Sequence, residues 1–115
     1  MNLAGQRAAI VDQLATLPGV VATPSWPAPA VAGSAWPVWQ SAQWVTESLL
    51  RGTWIVFRVL PAGSQQTTAA EADAAVMALG AALWPIGQVQ NAEAASVQVE
   101  PGGATLPALR FTLEI

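Results

Sequence analysis

The run of residues 54–60 (WIVFRVL) constrains the fold of this chain more than any other segment. Every position in it is apolar except Arg58, so an extended strand through this run would be hydrophobic on both of its faces. A strand of that kind needs structure packed on each side of it. We therefore expect a central strand of a β-sheet, ending at the turn-forming residues 61–64 (PAGS).

Alternating apolar residues and turn residues predict further strands around this run. Residues 36–46 are expected to pair with 53–60 in a hairpin that spans about 36–60. A second hairpin is expected over about 96–115, where apolar and polar residues alternate on either side of a Pro-Gly-Gly turn. A short strand at residues 20–23 completes a predicted sheet of four to five strands.

The first of two predicted helices covers about residues 3–17. Its apolar positions recur at helical spacing, and the helix is expected to end at the Pro-Gly pair 18–19. Its apolar stripe comprises Leu3, Ile10, Val11, Leu14 and Leu17. The side opposite the stripe is assigned Asn2, Gln6, Gln13 and Thr16.

The second predicted helix covers about residues 69–84 and has a candidate capping box at its start. In this motif the Thr68 hydroxyl accepts a hydrogen bond from the Glu71 amide, and the Glu71 carboxylate accepts one from the Thr68 amide. Asp73 then lies in the first turn, where it favours the helix dipole. The apolar stripe of this helix is Ala72, Val76, Leu79 and Leu83.

Residues 24–37 carry four prolines and two tryptophans among small residues, which disfavours regular strand pairing. Fixed proline φ angles lower the entropy cost of docking such a segment on a partner. One interpretation is therefore an extended arm that contacts another protein. The other is a loop that wraps over the domain's own core with its tryptophans as plugs.

The order of these elements predicts one α+β domain over residues 1–115. A mixed, mainly antiparallel β-sheet of four to five strands packs against two helices. A chain of 115 residues is the usual size of a single domain and can bury a core without a metal or a disulfide.

The absent residue types exclude most catalytic chemistry. The chain has no histidine, cysteine or tyrosine, which removes thiolate nucleophiles, imidazole acid–base catalysis and the common zinc ligand sets. The sequence therefore predicts no catalytic residue, no cofactor-binding residue and no metal ligand, and we expect the protein not to be an enzyme. A formal net charge of −3 with four dispersed arginines also argues against a surface that grips nucleic acid. Neither a signal peptide nor a membrane span of about 20 apolar residues is expected.

The small number of charges points to a subunit of an assembly. Only 10% of the residues are charged, against roughly 25% in ordinary soluble domains. A small protein with few surface charges and many large apolar groups tends to associate with itself or with permanent partners.

Tryptophans form the strongest candidate contact site, because four of the six lie between residues 26 and 44. Trp39 and Trp44 have opposite strand parity, so in an unbroken strand they point to opposite faces and one of them needs cover outside its own core. Tryptophan and arginine dominate binding hot spots. The candidate interface residues are Trp26, Trp36, Trp39, Trp44, Arg51 and Arg58. The alternative is that helices of the same chain cover both faces of the sheet, so that all these indoles are buried inside the subunit.

Five segments in order carry a resemblance to a known family. They are residues 17–20 (LPGV), 35–39 (AWPVW), 53–63 (TWIVFRVLPAG), the helix from Thr68 with Ala72 and Asp73, and 106–114 (LPALRFTLE). Each segment is unspecific, but their order, spacing and total length resemble the tail terminator proteins of long-tailed, siphovirus-like bacteriophages.

The resemblance implies a non-enzymatic virion protein of the tail or neck, made in the cytoplasm of the host bacterium. Proteins of this family form a hexameric ring that caps the head-proximal end of the tail tube, stops its growth and provides a docking surface for the head connector. The implied partners are other copies of the chain, the major tail tube protein and the head–tail connector or stopper protein, with DNA only as cargo that passes through the lumen.

Two alternatives remain open. One is a head-completion or stopper protein of the same neck, a class rich in strands with little helix. The other is a small intracellular binding module, in which the proline-tryptophan arm closes over an apolar ligand.

Overall fold

The computed structural model describes residues 2–27, 29–62 and 65–115, and the side chains of all of these except 65–67. The elements in chain order are α1 (Leu3–Ala15), β1 (Val21–Ala22), β2 (Ser34–Trp44), β3 (Leu50–Val59), α2 (Gln65–Leu83), β4 (Gln88–Gln98) and β5 (Thr105–Glu114). The strands form one sheet in the order β1-β2-β3-β5-β4. Only the β1–β2 contact is parallel, so the predicted α+β class with a mixed, mainly antiparallel sheet is confirmed.

Strand β3 is the centre of this sheet, as its double-sided apolar pattern predicts. Trp54 and Val56 are fully buried on the face that carries both helices. Val59, from the opposite parity, is buried in a separate cluster on the other face. The two faces of the sheet are covered by different structures: the helices pack on one face and the arm packs on the other.

The larger core lies between the helices and the sheet. Helix α1 contributes Ile10 and Leu14, and helix α2 contributes Leu79 and Leu83, all essentially excluded from solvent. Burial of each such side chain contributes about 1.5–3 kcal/mol. The strands complete this core with Ala35, Trp54, Val56, Leu109, Phe111 and Leu113.

The smaller core lies under the arm on the opposite face. It contains Ala30 from the arm and Trp36, Val59, Val97 and Ala108 from the sheet. Two backbone hydrogen bonds fasten the arm there: the Ala30 N–H donates to the Val99 carbonyl at 2.9 Å, and the Gly33 N–H donates to the Val59 carbonyl at 3.0 Å.

Three predictions about the helices are wrong. Helix α2 begins at Gln65 rather than near residue 69, so Thr68 and Asp73 lie inside the helix and the capping box at Thr68 does not form. Glutamine and alanine are good helix formers, which favours the earlier start. Helix α1 ends at Ala15 rather than near residue 17. The assignment of Gln6 to the polar side of α1 is also wrong. Gln6 lies on the side of the helix that faces the sheet, because it is three residues after Leu3 and four before Ile10.

The strand boundaries also differ from those expected. The last hairpin spans Gln88 to Glu114 rather than starting near residue 96, since β4 pairs with β5 along its full length. The polar, alanine-rich start of β4 has little intrinsic strand propensity, so its pairing with β5 decides its conformation. In the first hairpin, β2 starts at Ser34 and β3 at Leu50. Of the predicted turn after β3, Gly63 and Ser64 lie outside the described residues.

Candidate protein-interaction surface

Three aromatic rings meet where the arm crosses the sheet. Trp26 from the arm lies 5.0 Å from Trp36 of β2 and 5.6 Å from Phe57 of β3, measured between ring centroids. Trp36 and Phe57 stack at 5.5 Å. Aromatic pairs at these distances add about 0.5–1.5 kcal/mol beyond their buried area. The arm is therefore fixed to its own sheet by this cluster.

The prediction that Trp36 forms part of a contact surface is wrong. Its side chain is fully buried, because Trp26, Ala30 and Phe57 cover it. Its indole N–H is buried without a hydrogen-bond partner among the described residues. Trp26 itself remains 52% exposed, so the arm both plugs its own core and presents one indole to solvent.

Trp39 and Trp44 occupy the open part of β2, and a β-bulge at Gln40 sets their relation. Trp39 is paired with Trp54, and after the bulge Trp44 is paired with Leu50. By its register Trp44 occupies a position of the helix-bearing face, whereas Trp39, next to the bulge, lines the groove beside Trp26 on the arm-bearing face. The expectation of opposite faces applied to an unbroken strand, and the bulge removes that condition. Trp39 is 42% exposed and Trp44 is 70% exposed.

The two candidate arginines do not converge on these indoles. Arg51 forms an ion pair with Glu114 of β5 at 3.2 Å between Nη1 and Oε1. Arg58 lies on the helix-bearing face, paired in register with Ala35, and borders a small cleft with Pro18 and Glu71. The arm, with Trp26 and Trp36, lies on the other face, so Arg58 is not the polar part of a tryptophan hot spot.

Arg58 is instead a strand residue whose head group is partly desolvated. Its Nη1 donates to the Val59 carbonyl, while its Nε is buried without a partner among the described residues. Burial lowers the pKa of the Arg58 guanidinium, and the nearby Glu71 carboxylate acts in the opposite direction.

The sequence analysis missed an apolar strip along α2. Met77 is 76% exposed, and Trp84, directly after the helix, is 57% exposed. These residues are seven apart, a spacing that places them on one side of a helix and that could have identified the strip. Between α2 and β4 they border a groove of about 400 Å³, with Gly80, Ala92 and Phe111 also in its lining.

The same strip continues to the tip of the first hairpin. Trp84 also borders a second groove of about 520 Å³, together with Leu49, Ile86 and Ile115. Leu49 and Val45 are exposed in the turn between β2 and β3, and Trp44, the last residue of β2, is exposed beside them. Large apolar side chains therefore remain uncovered from the hairpin tip to the middle of α2.

Charges on the sheet face opposite the helices are paired with each other. Arg110 of β5 lies 3.9 Å from Glu93 of β4, and Arg51 pairs with Glu114. Gln90 also donates to the second oxygen of Glu114 at 2.6 Å. The charges of this face thus neutralise each other, and Val38 and Ile55 form an apolar groove beside Trp26 on the same face.

Among the described residues, no three acidic, histidine or cysteine side chains are close enough to hold a metal ion. Neither described helix is long and apolar enough to cross a membrane. No protein-family model and no curated protein matches the sequence.

Proposed function

We propose that this chain is a non-enzymatic structural subunit that assembles into a ring, and that the ring is a tail terminator of a long-tailed bacteriophage. In this role it caps the head-proximal end of the tail tube, stops its growth and offers a surface to the head connector. The role of tail terminator is proposed because the sequence resembles that family. The ring is supported by the exposed side chains.

The observation that carries the proposal is the distribution of exposed apolar residues at opposite sides of one sheet. Trp39 and Trp44 lie on β2 at one side, whereas Met77 and Trp84 border β4 at the other. A closed ring needs two different lateral surfaces that meet head to tail. Exposed apolar patches of this kind on a small domain are typical of protein–protein contacts.

The charge pattern supports the passage of DNA through such a ring. On the face opposite the helices, Arg51 and Arg110 are each engaged by a glutamate, and the remaining side chains include Thr53, Asn91 and Thr112. Phosphate binding depends on clustered, unpaired Lys and Arg. A lumen formed by this face would let DNA pass without holding it.

Assembly with purified tail tube protein tests the proposal. Light scattering of the chain alone is expected to show a mass several times that of the 11.9 kDa subunit. Added to growing tubes, the chain should bind one tube end and halt elongation, as seen by electron microscopy. A strict monomer that never joins tube ends would contradict both the ring and the role.

One observation favours a second candidate, the apolar-ligand module. A groove of about 460 Å³ lies beside Trp26 and is lined by Val38, Ile55 and Phe57. In that case an apolar ligand would shift tryptophan emission to the blue in a monomeric protein. In the ring, the same shift would instead depend on protein concentration.

The helix content separates the proposal from a head-completion or stopper protein. Helices α1 and α2 comprise 13 and 19 residues of the chain. A stopper is expected to be rich in strands with little helix. Circular dichroism of the purified chain is therefore expected to show a clear helical signal beside the sheet signal.

A further inference from the structure

Both edges of the sheet are open. Strand β1 pairs only with Ser34 and Ala35, at the start of β2. After Pro37, which donates no backbone hydrogen bond, the outer edge of β2 over residues 38–44 has no strand partner among the described residues. Strand β4 is the opposite edge and pairs only with β5 on its inner side.

These edges lack the charges that commonly protect an edge strand, although each carries one β-bulge, at Gln40 of β2 and at Gln90 of β4. Natural edge strands are commonly blocked by lysine or by another charge. Residues 38–44 (VWQSAQW) contain no charge at all. Strand β4 contains one, Glu93, which is already engaged by Arg110. Unpaired N–H and C=O groups along both edges are therefore available to a further strand.

We propose that the two edges are the two halves of one contact between copies of this chain. Residues 38–44 of β2 in one copy add to β4 of the next copy, and Trp44 of β2 covers the groove between β4 and α2. The inference rests on the proposed ring, for which it names the lateral contact.

Strand direction supports this pairing. Three successive antiparallel contacts separate β2 from β4, so the two edges of one subunit run in opposite directions. When two copies stand side by side in the same orientation, β4 of the first and β2 of the second are antiparallel. The ladder then continues from subunit to subunit, which is a head-to-tail contact able to close into a ring.

Side-chain size supports it as well. The edge of β2 carries the bulky Trp44 at a register position of the helix-bearing face, whereas Trp39, at the bulge, lines the groove beside Trp26 on the other face. On that same face, β4 presents Ala92 and Ala94, next to the groove of about 400 Å³ under Met77 and Trp84. The large Trp44 side chain of one edge thus meets alanines and an apolar groove at the other edge.

Pairing of like edges is less favourable. Two β2 edges would bring bulky side chains against each other, without the alanines that β4 offers on the helix-bearing face. Two β4 edges would leave the apolar groove uncovered and would bring the Glu93 carboxylates of both copies together. The unlike pair places no two like charges opposite each other.

Disulfide trapping between single variants tests the pairing, because the natural chain has no cysteine. Ala42→Cys is placed on the β2 edge and Ala94→Cys on the β4 edge, both exposed and at positions of the same face. One variant carries a size tag, and the two are mixed under mild oxidation. The proposal does not specify which β4 residue lies opposite Ala42. The experiment is therefore repeated with Ala92→Cys, and then with Ser96→Cys, in place of Ala94→Cys.

The expected result is a disulfide-linked heterodimer in at least one mixture and no dimer from any variant alone. A dimer from Ala42→Cys alone or from a β4 variant alone would overturn the proposal, because it would mean that like edges meet. Absence of a cross-link in all three mixtures would overturn it too. If light scattering still shows a ring in that case, only the edge contact fails; if it shows a monomer, the proposed function fails with it.

A charge on the edge provides an independent check. Ala42→Lys introduces an edge lysine, and Ala78→Lys places the same change on the exposed side of α2. The edge variant is expected to raise the dissociation constant of self-association by about tenfold or more, while the helix variant leaves it unchanged. Equal effects of the two variants would contradict the edge contact.

Discussion

The Gln6 side chain accepts a hydrogen bond from the indole N–H of Trp54 at 2.8 Å, which joins helix α1 to the central strand. Trp54 is fully buried, and the Arg7 guanidinium lies 5.5 Å from the centre of its ring. A buried donor without a partner costs free energy, so this bond stabilises α1 on the sheet in addition to the apolar contacts of Ile10 and Leu14.

We expect Gln6→Ala to lower the free energy of unfolding by about 1–2 kcal/mol, because it leaves the Trp54 N–H without an acceptor. Gln13→Ala, the same change on the same helix, should cost less, because the Gln13 side chain makes no hydrogen bond to any residue that the structure describes. Urea unfolding followed by circular dichroism measures both. In a Trp54→Phe background the effect of Gln6→Ala should shrink, and an undiminished effect would contradict this role.

Alanine substitutions at Trp36 and at Trp44 are expected to lower the stability of the subunit by very different amounts, although both residues lie on the same strand. Trp36→Ala removes a fully buried indole and should cost about 3–5 kcal/mol of stability. Trp44→Ala removes an exposed one and should change the stability of the subunit by no more than about 0.5 kcal/mol. Thermal unfolding at a protein concentration low enough to prevent association makes the comparison, and similar losses would contradict the assignment.

Gly33 holds the arm in place through its backbone conformation. Its φ is +94°, and a Cβ added there would lie 2.5 Å from the Gly19 carbonyl oxygen. Gly33→Ala is therefore expected to destabilise the protein by more than the approximately 1–2 kcal/mol of a left-handed alanine alone. Gly102→Ala is the control, because its φ is +77° but the added Cβ meets nothing within 4 Å. The two variants should differ in unfolding midpoint, and equal midpoints would argue against the close contact.

Arg58→Met is expected not to lower stability and not to reduce self-association. The variant removes a cation whose Nε is buried without a partner, and the Val59 carbonyl still accepts from the Gly33 N–H. Arg58→Ala, which also removes the packed stem, should be less stable than Arg58→Met. If light scattering shows weaker self-association of Arg58→Met, Arg58 takes part in the contact between subunits.

Self-association is expected to persist at high salt. The proposed contact consists of apolar side chains and backbone hydrogen bonds, and residues 38–44 carry no charge. At about 1 M salt the screening length is roughly 3 Å, so a contact held by exposed ion pairs would weaken. Sedimentation at low and high salt measures the difference, and dissociation at high salt would contradict an apolar contact.

Local patterns in the sequence were sufficient for the class of the fold. Residues 54–60 required a central strand because both faces are apolar, and the spacing of Leu79 and Leu83 required a helix with one buried side. These are properties of a strand period of two and a helix period of 3.6, which are visible in any single sequence.

Which tryptophans are exposed was decided by tertiary structure. The bulge at Gln40 shifts the register of β2, so that Trp44 occupies a position of the helix-bearing face, while the returning arm encloses Trp36. Both results depend on contacts between residues far apart in the chain, and the energy of cross-strand pairing and burial sets them. The sequence by itself determined a central apolar strand, two helices and a shortage of charge, and only the packed structure decided which apolar groups are left for a partner.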